Sequence, residues 1–211
     1  RIAAAARAVS DGNVVGLDVR KLGERQDMSA VEGISFCGQM HGLVVLDADD
    51  NVIRPAILWN DNRTTEECAY LNEEVGREKL LEWTGNVAFT GFTAPKLMWL
   101  KKHEPDNFAK IAKIMLPKDY IAYKISGVFG SDVSDDSGTL YFDVKNRRWS
   151  APMLDLIGIS EAQLPAIFES TDVIGTVSPA FAAESGMSTS AKVIIGGGDQ
   201  AVGAVGTGTV K

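Results

Sequence analysis

Cysteine and histidine are scarce in this sequence: Cys37, Cys68, His41 and His103 are the only examples in 211 residues. Two cysteines make no disulfide framework at this length, so free thiols and a cytoplasmic, reducing location are expected. No Cys or His pair has metal-ligand spacing, so no metal centre built from them is expected. No apolar run is long enough to span a membrane, and none is expected to. Neither a Gly-x-x-x-x-Gly-Lys phosphate loop nor a Gly-x-Ser-x-Gly nucleophile elbow occurs. Basic charge is also short: 21 Lys and Arg against 28 Asp and Glu leave a formal net charge of −7. That balance argues against a nucleic-acid partner, and Lys101-Lys102 and Arg147-Arg148 read as solvated faces. The first residue is Arg1, not Met, and Arg7 breaks an alanine-rich start too short for a signal peptide. The chain is therefore expected to begin inside a longer protein.

What remains is the composition of an ordinary globular domain, 45% hydrophobic and 23% charged. The organising stretch runs from Val193 to Gly208. A β-branched run, Val193-Ile194-Ile195, predicts a buried strand. Gly196-Gly197-Gly198 breaks it, and a small-residue segment predicts a helix packed tightly against a neighbour. Asp199 thus sits in a strand-to-helix turn, where open α/β sheets bind ligands. Its carboxylate can take a proton from a substrate hydroxyl, or it can simply cap the helix.

Elsewhere strands and helices alternate. An alanine-rich helix is predicted over 2–9, and strands over 14–19 and 34–37. A hairpin is predicted from 43–46 and 53–59 around Asp47–Asn51. Thr64-Thr65-Glu66-Glu67 matches a capping box before a helix with Cys68, Leu71 and Val75 inside. Thr93-Ala94-Pro95 and Pro117 each open a helix. Phe108, Ile111 and Met115 suggest another, 132–138 a polar turn and 139–144 a strand. Helices are also predicted over 151–157 and 180–185. The alternation implies one α/β domain with helices on its sheet.

Two more polar clusters stand at strand ends. Gln39-Met40-His41-Gly42 offers a histidine that titrates near neutrality and an amide that both donates and accepts. Trp59-Asn60-Asp61 sets an indole beside an amide and a carboxylate, which suits a sugar with its apolar face and hydroxylated edge. A surface histidine, a core tryptophan and a turn with a helix cap are the plainer readings of the same residues.

These clusters coincide with a known pattern. Residues 38–42 (Gly-Gln-Met-His-Gly), 56–63 (Ala-Ile-Leu-Trp-Asn-Asp-Asn-Arg), 91–100 (Gly-Phe-Thr-Ala-Pro-Lys-Leu-Met-Trp-Leu), 116–120 (Leu-Pro-Lys-Asp-Tyr) and 196–200 (Gly-Gly-Gly-Asp-Gln) resemble, in this order, the N-terminal domain of the FGGY carbohydrate kinases. The Gln-Met-His-Gly stretch points to their xylulokinase branch. The resemblance implies a ribonuclease-H-like, actin-like ATPase fold: a mixed sheet flanked by helices. It implies ATP-dependent phosphorylation of D-xylulose, with ATP and Mg²⁺ held mainly outside this chain, and it leaves room for a homodimer. Asp199 matches the catalytic base, and Met40 and His41 match substrate contacts. Trp59, Asp61 and Gln200 carry over more weakly to the sugar pocket.

The pattern departs in two places. The family's initial phosphate-binding hairpin is not matched; Gly16-Leu17-Asp18 only superficially resembles it, and no role passes to Asp18. The chain also ends where a hinge would lead to a nucleotide domain. Residues 1–211 are thus expected to be a partial sugar-binding domain, inactive alone. A ribulose, glycerol or gluconate kinase and a non-catalytic sugar-binding module are the alternatives.

Overall fold

The computed structural model describes residues 14–209. Their order is α1 (Val14–Gly23), β1 (Gly33–Ile34), β2 (Cys37–Gly38), β3 (Val44–Leu46), α2 (Thr65–Ala69), α3 (Arg77–Thr84), α4 (Thr93–His103), α5 (Pro105–Phe108), β4 (Lys113–Met115) and α6 (Pro117–Ser126). There follow β5 (Gly130–Asp132), α7 (Val133–Asp136), β6 (Phe142–Asp143), β7 (Arg148–Trp149), α8 (Ala151–Ile157), β8 (Ala166–Phe168), β9 (Val173–Thr176), α9 (Pro179–Ser185), β10 (Lys192–Ile194), β11 (Gly197–Gly198) and α10 (Asp199–Gly206). The helix expected over 2–9 lies outside the described residues.

The strands form a mixed set of small sheets. β10 pairs parallel with β1 and antiparallel with β9. β11 pairs parallel with β2, and β5 with β8. β3–β4 and β6–β7 are antiparallel. The chain turns back around 47–51 as expected, but the second arm is held by isolated bridges, Leu43 opposite Ile57 and Leu46 opposite Val52, and 53–59 is not a continuous strand. The largest core gathers Leu43, Ile57, Leu71, Leu97, Ile114 and Phe142 between the helices and β3. A second, around Val193, Phe181 and Ile125, lies against α9 and α1.

Helix boundaries follow local chemistry. Proline stands in the first turn of α5, α6, α8 and α9, where its missing N–H leaves no bond unmade. Gly85, Gly127, Gly158 and Gly186 close α3, α6, α8 and α9 in the left-handed region.

Several expectations differ, and the strand expected over 139–144 shrinks to Phe142–Asp143. Residues 14–19 belong to a helix, not a strand; Val19 packs into the Phe181 cluster, and Arg20 and Lys21 sit favourably in the last turn. Tertiary packing there overrides three β-branched residues. Residues 113–115 are a strand, because they pair with β3. The Thr64 hydroxyl bonds the Thr90 carbonyl instead of closing a capping box. α10 forms, but none of its residues is buried, so it is not packed tightly against a neighbour in this chain.

Gly196 makes the bend before β11. Its φ is +75°, and a Cβ there would lie 1.9 Å from the Phe36 carbonyl oxygen. Gly196→Ala is therefore expected to lose roughly 1–3 kcal/mol or more of stability, read as a lower urea midpoint. An unchanged midpoint would show that the bend is not required.

Candidate functional site

The site is assembled by the β2–β11 pair. Gly197 stands opposite Cys37 and Gly198 opposite Gly38. Met40 and His41 leave β2 at the same end from which Asp199 leaves β11. Gly198 leaves the space that Met40 fills: a Cβ there would meet Met40 Cγ at 2.9 Å and Sδ at 3.1 Å. Gly138 does the same for both neighbours, since its Cβ would lie 2.2 Å from His41 Cε1 and 3.1 Å from Met40 Cε. Met40, His41 and Asp199 are thus brought together, each partly exposed. N-cap geometry belongs to Gly198 and no side chain caps α10, so capping does not occupy Asp199.

His41 holds a left-handed backbone conformation, φ +70°, unusual for a residue with a side chain. Its Nδ1 lies 2.9 Å from the Gly138 carbonyl. A carbonyl only accepts, so Nδ1 carries the proton. Burial pushes the His41 pKa down, against the Gly138 bond and the Asp199 charge, which raise it. The ring is therefore neutral at pH 7, and Nε2 is left as an acceptor. Phe92 packs on it with ring centroids 4.6 Å apart.

Lys96 supports this turn. It is 0% exposed. Its Nζ donates to the carbonyls of His41 at 2.6 Å and Gly91 at 2.5 Å. Thr93 Oγ1 adds a bond to the His41 carbonyl at 3.3 Å. Gly91 in turn lies against Trp59, whose carbonyl oxygen would be 2.9 Å from a Gly91 Cβ. One lysine thus ties the His41 turn to the loop beside Trp59.

The remaining sequence candidates are placed as follows. Trp59 is 53% exposed, so it is not core. Asp61 is engaged by Arg63 through Nε at 2.9 Å and Nη2 at 2.7 Å. The same pairing holds the Asp61 pKa low. Arg63 also stacks over Trp99, 4.7 Å from its centroid. Gln200 follows Asp199 on the exposed side of α10.

Sequence reasoning missed the floor of the site. The segment expected as a polar turn, 132–138, is largely buried and carries Asp132, Asp135 and Asp136. Asp136 accepts the Ser131 hydroxyl, while Asp132 and Asp135, with Asp119, surround one cation, Lys118. Its Nζ is 2.6 Å from Asp119 Oδ1, 3.0 Å from Asp132 Oδ1 and 3.9 Å from Asp135 Oδ2. Burial, together with neighbouring carboxylates, pushes the pKa values of Asp135 and Asp136 well up. A Gly38 Cβ would strike Lys118 Cβ at 2.6 Å, so the cluster lies directly against β2. The available signal was Lys118-Asp119 beside a second run of aspartates, too many acids for one surface turn.

Burial brings the Lys96 ammonium down to about 7, opposed by the Asp61 and Cys68 charges. The unfolded chain keeps that proton into the ordinary lysine range near 10.5. Between those values the unfolded state binds more protons, so this group makes stability rise with pH. The unfolding free energy of the unsubstituted chain minus that of Lys96→Met is expected to grow from pH 7 to pH 10 in chemical denaturation. A flat difference would contradict it.

The profile of the FGGY family of carbohydrate kinases, N-terminal domain, matches residues 18–206. The xylulose kinase of Escherichia coli K12 is 44% identical over 192 residues, which are 91% of this chain and 39% of that protein. The xylulose kinase of Bacillus subtilis 168 is 46% identical over 178 residues, 84% of this chain and 36% of that protein. The crystal structure of a xyloylose kinase from Brucella ovis superposes with a TM-score of 0.85 at 42% identity, covering 92% of this chain and 40% of that one. The chain therefore spans well under half the length of the relatives it matches. These neighbours have the actin-like ATPase fold that the resemblance implied, and the alternation of helices and strands here is that of an α/β domain. No helix among the described residues is long and apolar enough to cross a membrane. Family profile, sequence relatives and structural neighbours agree that the chain belongs to the FGGY family of carbohydrate kinases.

Proposed function

We propose that this chain is the sugar-holding part of a kinase that phosphorylates D-xylulose at its terminal hydroxyl. The observation that carries the reading is the β2–β11 pairing, which sets Asp199 beside the Met40-His41 turn. Relatives named xylulose kinase at 44% and 46% identity support the choice of sugar.

In this reading Asp199 accepts the proton of the attacking hydroxyl, while the oxygen forms its bond to phosphorus and the bond to the leaving phosphate breaks. ATP supplies the phosphoryl group. The neutral His41 ring accepts a sugar hydroxyl at Nε2, and Met40 covers an apolar face of the sugar. Gln200 adds an amide next to the base, and Trp59 and Asp61 border the pocket from the Gly91 side. Together these groups hold the hydroxyl in line for attack, the larger part of catalysis in phosphoryl transfer. Among the described residues no three His, Cys, Asp or Glu side chains are grouped to hold a metal ion, so no step is assigned to Mg²⁺ on this chain. A cytoplasmic location goes with the free thiols of Cys37 and Cys68.

In the full-length enzyme that carries this chain, Asp199→Asn is expected to bind xylulose within a few-fold of normal. Its kcat is expected to fall by about 10²–10⁴-fold, because the hydroxyl loses its base. Near-normal turnover would reject the assignment. A panel of xylulose, ribulose, gluconate and glycerol, ranked by kcat/KM, tests the sugar; preference for any but xylulose would reject that part.

A further inference from the structure

Among the described residues, β11 is paired on one edge only, with β2. Gly197 N–H donates to the Phe36 carbonyl at 3.1 Å on the β2 side. The N–H of Gly198 points the other way, where no strand of the described residues pairs with β11. Its partner is the hydroxyl oxygen of Ser134, at 3.1 Å. That hydroxyl is itself oriented, since its proton goes to Asp132 Oδ2 at 2.5 Å. The same carboxylate oxygen caps α7 through Ser134 N–H at 3.0 Å and receives the Ser170 hydroxyl at 2.7 Å. Asp132 Oδ1 faces Lys118 Nζ at 3.0 Å. A continuous line of polar contacts therefore runs from a buried ammonium, through Asp132 and Ser134, to the amide immediately before Asp199.

We propose that Ser134 is a positioning residue for Asp199: its hydroxyl, aimed by Asp132, holds the Gly198 amide and so sets the direction in which the Asp199 side chain leaves β11. The catalytic half of this statement rests on the reading of Asp199 as the base. The geometry leaves little play. Ser134 Oγ is 3.0 Å from where a Gly197 Cβ would be, and the Asp135 Cα is 3.4 Å from where a Gly198 Cβ would be. α7 is thus pressed against both glycines. A charge-assisted bond to Asp132 fixes the hydroxyl rotor, so its lone pairs face the amide. A buried amide without this acceptor would be left unpaired, and the turn would shift to find one.

The test uses the full-length enzyme. Ser134→Ala removes the acceptor, Ser134→Thr keeps it, and Ser170→Ala removes a second hydroxyl from Asp132 without touching Gly198. Hydrogen exchange at the Gly198 amide is expected to quicken in Ser134→Ala and to stay slow in the other two. The kcat for sugar phosphorylation is expected to fall about ten- to a hundred-fold in Ser134→Ala, with KM for the sugar unchanged. Both other variants are expected to keep kcat within about three-fold. Thermal midpoints measured alongside separate this pattern from general loosening. If Ser134→Ala does not fold, Ser134→Cys, whose sulfur is a weak acceptor, takes its place with the same expected direction. Exchange that stays slow without the hydroxyl overturns the proposal, whether or not the enzyme phosphorylates any sugar. Fast exchange with unchanged kcat overturns it too. If the unsubstituted enzyme phosphorylates no sugar, the function proposed above fails and with it the catalytic half, while the amide measurement still decides what Ser134 holds.

Discussion

Two glycine-bearing strands far apart in sequence, Cys37–Gly38 and Gly197–Gly198, lie side by side in parallel, and the rest of the site depends on that pairing. Parallel pairing puts both exits at one end, so whatever follows each strand meets its counterpart. Here the followers are Met40-His41 and Asp199. The absence of side chains at Gly138 and Gly198 then sets how close they come, because Met40 and His41 occupy the volume a Cβ would need. The geometry follows from backbone register first and from side-chain chemistry second.

Two buried lysines stabilise this arrangement by opposite means. Lys96 meets carbonyl dipoles and no close carboxylate, so burial depresses its pKa to about 7. An uncharged amine still has two N–H donors for two carbonyls, so losing the charge need not lose the clamp. Lys118 is equally buried, but Asp119, Asp135 and Asp132 surround it and raise its pKa despite desolvation. It remains a fixed positive charge among acids. One lysine braces the Met40-His41 turn, and the other anchors the layer beneath Asp199. Removing either leaves buried polar groups without partners, which is more damaging than the modest net worth of the bonds would suggest.

Much of this was legible in the sequence wherever one residue type forces one local geometry. Proline at the start and glycine at the end marked the helices at 117–126 and 151–157 to within a residue or two, and glycine marked the end of the one at 179–185. The glycine run before Asp199 marked the turn, and the order of five short segments marked the family. What was not legible depended on partners distant in sequence. Val14-Val15 reads as a strand until Val19 is seen against Phe181. Thr64 reads as a cap until Thr90 offers a carbonyl. Asp132, Asp135 and Asp136 read as a solvated turn until Lys118 is found among them. Lys96 gave no sign at all, since a lysine at the start of a helix is ordinarily on the surface.

The acidic floor also changes what the molecule presents to solvent. Asp119, Asp132, Asp135 and Asp136 are interior, and burial raises the pKa of Asp119, Asp135 and Asp136. The formal charge of −7 counts each of these as a full surface anion. Ion-exchange retention responds to charge presented at the surface; the interior Lys96 and Lys118 offset part of what these four acids withhold, so the chain should bind an anion exchanger as a slightly milder polyanion than its composition implies.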